Sequence, residues 1–406
     1  MQQFYHAKQI LPHLQDLYGR RNIADIQRYE DIVAEFKRRF GYDYAHVCSA
    51  SGRVEVIGNH LDHNGGTVLG CAINLDIVAA FRPNDANVVT IFGKDRSVIR
   101  LDLTCDSPKP VGSAGLVMGV LTYIKKCGYA IGGFDAYTDS TVPSGAGVSS
   151  SAAFELVVAS IVNHCFNNGA ISPETLARAG QFAENEFFGK PCGLLDQSVI
   201  AVGGLVKLDF AQNLSFERLA VAKSAFQFVL LDTGLSHSGL SHLYAEIPAE
   251  MYAVARYFGK SRLIEVDENA FFDQFDDVCT TVGHRAALRA KHFFEENRRV
   301  AAAEESLLSG DVDKLIELIN QSGDSSLFQL QNCAVDETDT AISDAITLAR
   351  SICPCGARVH GGGFAGTVLC VVPTEHATAF VEKMRSTYGD KKVLPLLVRP
   401  CGAVVL

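Results

Sequence analysis

The sequence has no tryptophan, no block of basic residues and no apolar run long enough to cross a bilayer. Each absence removes a class of function. Lys and Arg total 36 against 46 Asp and Glu, a formal net charge of −10. An acidic chain without a basic patch binds phosphodiester backbones and anionic lipid poorly. Neither nucleic acid nor a membrane is therefore an expected partner, whereas a small anionic ligand needs only a local site. The longest apolar stretches, around residues 115–121 and 156–162, fall far short of the ~18–20 residues of a spanning helix. The opening segment MQQFYHAKQILPHLQDLYGRR carries Asp and several polar residues, with no apolar signal core or small-residue cleavage site. A cytoplasmic location is the expectation. Without tryptophan, ring stacking falls to Phe and Tyr.

The twelve cysteines are scattered from Cys48 to Cys401, and only Cys353 and Cys355 are close neighbours. A lone CPC is not paired zinc-ligand spacing, so the cysteines are expected as mostly buried, reduced thiols and no structural zinc is expected.

What the chain does have is apolar mass. It has 406 residues, 48% hydrophobic and 20% charged. That is enough to bury a full core and excludes a disordered chain. The length points to two domains, at most three. In RYEDIVAEFKRRFG (28–41), Tyr29, Ile32, Val33, Phe36 and Phe40 recur at helical spacing and Gly41 ends the run. Residues 46–104 read as strands: HVCSA, RVEVIG, TVLGCAINLDIVAAF and NVVTIFG are β-branched segments divided by Gly, Asn, Asp and Pro. Residues 110–127 read as a helix and 133–142 as a strand. A helix opens on the serine run at 149, where serine favours capping. Another covers 172–189, with Ser172 as cap and Glu174 in its first turn. Strands are expected at 205–210 and 226–233, helices over most of 240–350, then ARVHGGG and TVLCVV as strands, a helix near 375–387, and KVLPLLV. Strands, then helices, then strands is an α+β order.

Two segments carry chemistry. Residues 143–153, PSGAGVSSSAA, run directly into the helical FELVVASIV. Glycines let the backbone approach a phosphate, the free amides of a helix start point at an anion, and serine hydroxyls donate to phosphate or coordinate Mg²⁺. No GK[ST] is present, so this is not the lysine-bearing phosphate loop. It is not a GxSxG elbow either. Residues 52–66, GRVEVIGNHLDHNGG, crowd Arg53, Asn59, His60, Asp62 and His63 after a short apolar strand. Carboxylates and imidazoles in such a cluster suit a polyhydroxylated ligand. A two-His-one-Asp metal site is the other chemistry these residue types allow.

Residues 143–152 resemble motif 2 of the GHMP small-molecule kinases, P-x-G-x-G-[LM]-[GS]-S-S-A, with Val148 in the Leu position. Residues 52–66 are similar to the galactokinase signature, G-R-x-N-[LIV]-I-G-E-H-x-D-Y-N-x-G. Two positions are noted as departures: Asn59 stands where the pattern has Glu, and His63 where it has Tyr. AENEFFGKPCGLLDQSVIAVGG (183–204), LLDTGLSHSGLSHLYAEI (230–247), RVHGGGFAGTVLCVV (358–372) and RAALRAKHFFEENRR (285–299) resemble further family segments in order. The stretch 322–337, GDSSLFQLQNCAVDET, departs from the family and has no functional reading.

The resemblance, from about residue 28 onward, implies an α+β, two-domain GHMP-kinase-like fold. It has mixed sheets and a helical layer, with an N-terminal domain over 1–222, a C-terminal domain over 223–406 and the active site between them. It implies an ATP-dependent sugar 1-kinase, by default acting on galactose, with ATP and Mg²⁺. Asp196 and Arg53 are the implied catalytic pair. Asn59, His60, Asp62, His63, Gly193 and Tyr244 are implied at the sugar, with residue 59 near its carbon-6 hydroxyl. Gly145, Ala146, Gly147, Ser149, Ser150 and Ser151, with Gly361, Gly362 and Gly363, are implied at the nucleotide, and Ser151 and Glu184 at Mg²⁺. Two alternatives stay open. Plant galacturonate kinases have a similar motif with a neutral residue in the Glu position and HxDH, as here. A sugar- and ATP-binding sensor without turnover is the reading from another class, though relatives of that kind have lost serine-loop residues that this chain keeps.

Overall fold

A computed structural model describes residues 7–19, 23–104, 110–189, 192–212, 214–221, 225–234, 240–336, 338–364 and 366–406. The first sheet has eight strands: β1 (His46–Ile57), β2 (Thr67–Pro83), β3 (Val88–Gly93), β4 (Val98–Asp102), β5 (Phe134–Ser140), β6 (Leu205–Asp209), β7 (Ser215–Leu219) and, from the far end of the chain, β12 (Val404–Val405). The second has four: β8 (Phe226–Asp232), β9 (Gly356–His360), β10 (Thr367–Pro373) and β11 (Val393–Leu396). Their orders are β12-β1-β2-β5-β3-β4, with β6 on β2 and β7 on β6, and β11-β8-β10-β9. Only the β3–β5 pair is parallel, so the first sheet is mixed.

The segments HVCSA and RVEVIG, read separately in the sequence, form one strand. Gly52 allows this. A Cβ at that position would lie 2.7 Å from the carbonyl oxygen of Val148, and the Arg53 amide donates to the same oxygen at 3.2 Å. The serine loop thus lies directly on β1. Register shifts between Ser51 and Arg53 and between Glu55 and Ile57 locally increase the twist of the strand where it faces that loop.

The helices Ser113–Lys126, Ser150–Asn167 and Pro173–Ala183 form a layer associated with the first sheet. Ala341–Ile352 and Thr374–Tyr388 pack on the second sheet around Val359, Val368 and Val372. The 26-residue helix His284–Ser309 touches β1 and β2 and also the helix Val312–Ser325, which packs on β9. It is the strut that sets the two sheets against each other. Among the described residues no helix is long and apolar enough to cross a membrane.

Three features differ from the sequence reading. The helix expected over 172–189 ends at Ala183 and continues as a π-helical turn, Glu184–Phe188; Ser172 caps it as expected, accepting from the Thr175 amide at 3.2 Å. Strands β7 and β12 were not anticipated. The division at residues 222 and 223 falls outside the described residues, and β12 returns to pair with Cys48 and Ser49 of β1.

Candidate active site

Arg53 on β1 and Asp196, in the first turn of the helix Leu195–Val202, meet at the serine loop. Arg53 Nε donates to Asp196 Oδ1 at 2.7 Å, and Nη2 forms an ion pair with the same oxygen at 2.7 Å. Its Nη1 donates to the Gly147 carbonyl at 2.5 Å. The Ser149 hydroxyl donates to Asp196 Oδ2. The expected serine cap is therefore absent. Ser149 sits at φ +64° and makes no cap bond, because its hydroxyl is turned to the carboxylate. With no side chain capping the helix Ser150–Asn167, the amides of its first turn are left for an external anion. Gly145 and Gly147 hold positive φ in the same loop, and Ala146 is buried.

The Ser151 hydroxyl donates to Glu184 Oε1. Glu184 is buried and opens the π-helical turn; such turns often mark functional positions. Burial, aided by the nearby Glu184 charge, pushes the Cys192 thiol far above its ordinary value. Cys192 is thus an inert wall residue. Among the described residues no three His, Cys, Asp or Glu side chains gather as a metal site.

A cavity of about 140 Å³ begins at Arg53 and Asp196 and is walled by Glu55, Asn59, His60, Asp62, His63, Gly193, Gly361 and Gly362. It shares Asp62, His63, Cys192 and Gly193 with an adjoining space of about 410 Å³. His60 is held at φ +59° with Nε2 3.0 Å from the Gly362 carbonyl. Burial drives its pKa down to about 4, so the ring is neutral. Nε2–H donates to that carbonyl and Nδ1 is an acceptor for a ligand hydroxyl. Gly193 leaves room for Asp62: a Cβ there would push the Asp62 carboxylate aside.

Two of the expected sugar-site residues are also bonded to the protein itself. The Asn59 amide donates to Glu55 Oε1 at 3.0 Å and to the Gly361 carbonyl at 2.6 Å, and its Oδ1 accepts from Asn332 Nδ2 at 2.7 Å. Both of its donor hydrogens are spent on protein. Tyr244 packs against Gly362, where a Cβ would lie 2.5 Å from its ring, and donates to the Gly363 carbonyl at 3.0 Å. It braces the glycine turn from behind. Gly361 and Gly362 themselves wall the small cavity.

Sequence reasoning missed several residues. Glu55 lies in the cavity wall where the quoted signature has Asn, a departure visible in the sequence. Asn332, from the unread stretch 322–337, holds Asn59. His292 holds the Asn59 carbonyl at 3.0 Å. The Glu55 amide donates to His360 Nε2 at 3.1 Å, so Nδ1 of that ring carries the hydrogen toward Thr367 Oγ1, 3.1 Å away.

Comparison with known proteins accounts for this arrangement. Residues 34–83 match the galactokinase galactose-binding signature, 115–204 the GHMP kinases N terminal domain and 303–390 the GHMP kinases C terminal. A galactokinase of Glaesserella parasuis is 31% identical over 87% of this chain and 92% of its own length. One of Limosilactobacillus reuteri is 29% identical over 89% and 94%. The structure of Lactococcus lactis galactokinase complexed with galactose superposes with a TM-score of 0.82 at 24% identity, covering 93% of this chain and 99% of that one. The fold, the matched signatures and the relatives agree: the chain belongs to the galactokinase family of GHMP kinases.

Proposed function

We propose that the protein transfers the γ-phosphoryl group of ATP to the anomeric hydroxyl of galactose, giving galactose 1-phosphate and ADP. One observation carries this reading: Asp196 is gripped by Arg53 and Ser149 where the phosphate-binding loop meets the polar cavity. The open amides at the start of Ser150–Asn167 receive the ATP phosphates. The sugar lies in the small cavity with its anomeric hydroxyl on Asp196. Asp196 takes or orients that proton while the hydroxyl oxygen bonds to the γ-phosphorus and the bond to the bridging oxygen of ADP breaks. Arg53 offsets the developing charge. His60 accepts a sugar hydroxyl hydrogen at Nδ1, and Asp62 accepts beside Gly193.

Ser151 and Glu184 fit a role at Mg²⁺. They place two hard oxygens together at the loop, and a nucleotide-bound Mg²⁺ takes most of its remaining ligands from phosphates and water. When bound, the ion supplies charge neutralisation on the phosphates. Eleven free cysteines among the described residues support action in the reducing cytoplasm.

The alternative of 1-phosphorylation of galacturonate rests on the neutral Asn59 and on His63 in the HxDH pattern. The Glu55 carboxylate in the cavity wall weighs against it. A coupled ADP-release assay over a panel of free sugars, with phosphorus NMR of the product, tests the proposal. Galactose 1-phosphate is expected, and sugar binding without ADP release would instead support a sensor.

A further inference from the structure

We infer that Glu55, not Asn59, reads the carbon-6 hydroxyl of the sugar, and that Asn59 and Asn332 serve to hold the Glu55 carboxylate in place. This deepens the kinase reading and rests on it.

The argument starts from what each polar atom already touches. Glu55 is buried. Its Oε1 accepts from Asn59 Nδ2 at 3.0 Å and from Arg358 Nη2 at 3.1 Å. Among the described residues no donor is recorded on its Oε2, that atom is not among the sealed polar atoms without a partner, and Glu55 lines the small cavity. A carboxylate oxygen in that position lacks a donor until a ligand hydroxyl supplies one. Asn59 is the reverse case. Its two hydrogens and one side of its carbonyl are committed to Glu55, Gly361 and Asn332. Both neighbours of Nδ2 are pure acceptors, so the orientation of the amide is fixed by chemistry.

Spacing agrees. Arg53 and Glu55 are two residues apart on β1, with no register shift between them, and therefore point to the same side of the strand, about 6.6–6.8 Å apart along it. Arg53 marks the reacting end through Asp196. Glu55 then lies about one pyranose ring away, where the substituent remote from the anomeric hydroxyl belongs.

The carboxylate is also electrically prepared. Arg358 is fully buried, and its Nη1 is spent on the Glu55 and Val56 carbonyls at 3.3 and 3.2 Å. Burial raises the Glu55 carboxyl above its ordinary value, and Arg358 and Arg53 limit that rise by favouring the charged form. The family signature carries Asn and then Glu at these two places, and this chain carries Glu and then Asn. One carboxylate and one amide are kept with their places exchanged, and the carboxylate moves from the turn back into the strand. Asn332 then explains the divergent stretch 322–337: it fixes the amide, donating also to the Gly362 carbonyl at 3.2 Å.

The test compares kcat/KM for galactose, 6-deoxygalactose and galacturonate in the full-length wild type, Glu55→Gln and Asn59→Ala. The wild type should prefer galactose over 6-deoxygalactose by roughly ten- to hundredfold, the range of a hydrogen bond to a charged group. Galacturonate should be poor, since two carboxylates would face each other. Glu55→Gln should shrink the galactose preference at least fivefold and improve galacturonate relative to galactose. Asn59→Ala should raise KM for both neutral sugars yet keep their ratio within about threefold of wild type. Damage to the fold would lower all three sugars together and leave the ratios alone, and if one variant fails to fold the other still decides. A wild-type ratio near one, an unchanged ratio in Glu55→Gln, or a ratio lost in Asn59→Ala overturns the inference. Failure of the kinase reading looks different: the wild type would form no sugar 1-phosphate from any sugar in the panel.

Discussion

Asp196→Asn is the most direct probe of the chemistry, because the structure says what the substitution preserves. The Asn carbonyl can stay where Oδ1 accepts from Arg53 Nε at 2.7 Å. The new amide nitrogen would face Ser149, whose hydroxyl can turn to accept instead of donating. The side chain keeps its size and both neighbours. What goes is the capacity to take a proton and the negative charge opposite Arg53. A positioned base is worth roughly 10²–10⁴-fold, which corresponds to about 2.7–5.4 kcal/mol of barrier. The stability cost should be small, on the order of 1 kcal/mol or less, because the Asp196 side chain is 30% exposed and water screens the exchange. The assay is steady-state ADP release for kcat, with calorimetric titration of a non-hydrolysable ATP analogue and a urea curve on the same protein. The expected outcome is a kcat lowered at least a hundredfold, with nucleotide affinity and unfolding midpoint nearly unchanged. A variant retaining more than about a tenth of wild-type kcat would refute the role of Asp196 as base.

Three further outcomes follow from geometry already described. Gly193→Ala should raise KM for the sugar several-fold with little change in KM for ATP, because the new methyl displaces Asp62; equal changes in both constants would refute this. Asp76 accepts from Tyr18 at 2.6 Å, Ser49 at 2.5 Å, Arg28 at 2.6 Å and the fully buried Arg399 at 3.2 Å. Asp76→Asn strands the arginine charges and should cost about 3–5 kcal/mol in denaturant titrations; a loss below about 1 kcal/mol would show that the network relaxes. Burial lowers the pKa values of both His60 and His292 to about 4, whereas an unfolded histidine titrates near 6.5. The unfolded chain therefore binds the extra protons first, and stability is full above pH 6.5 and falls as pH drops toward 4. At pH 5.5 the loss is about 1.4 kcal/mol per ring. His292→Gln should remove about half of that drop between pH 7.5 and 5.5, and an undiminished drop would place the titration elsewhere.

How much of this was legible depended on whether a residue's job is local. The form of the serine loop was, because glycines followed by serines at a helix start are a backbone device, and the pairs named through the family resemblance, Arg53 with Asp196 and Ser151 with Glu184, are in contact. Ser149 was misread as a cap because capping is the local default for serine; only the positive φ left by the turn sends its hydroxyl to Asp196. The bonds that hold the Asn59 side chain were not legible for the opposite reason. Its partners Gly361 and Asn332 lie roughly 270–300 positions away, a distance over which one sequence without relatives carries no signal. Glu55 was in plain view as a departure from the quoted signature, yet its weight shows only once its free oxygen is seen in the cavity wall. The π-helical turns at Glu184–Phe188 and Ser326–Leu330 also have no periodicity to read, since each amounts to one residue of extra winding.

The return of β12 to β1 bears on how the molecule is made. Val404 and Val405 are hydrogen-bonded beside Cys48 and Ser49, and the Leu406 amide donates to the Val47 carbonyl at 2.9 Å. The strand bearing Arg53 and Glu55 therefore waits for an edge partner translated after the entire second sheet. A nascent chain halted after β7 would hold the serine loop and much of the cavity wall against an unfinished edge. Such an edge is a template for pairing with another chain. This edge of β1 is closed off only when the segment carrying β12 has left the ribosome.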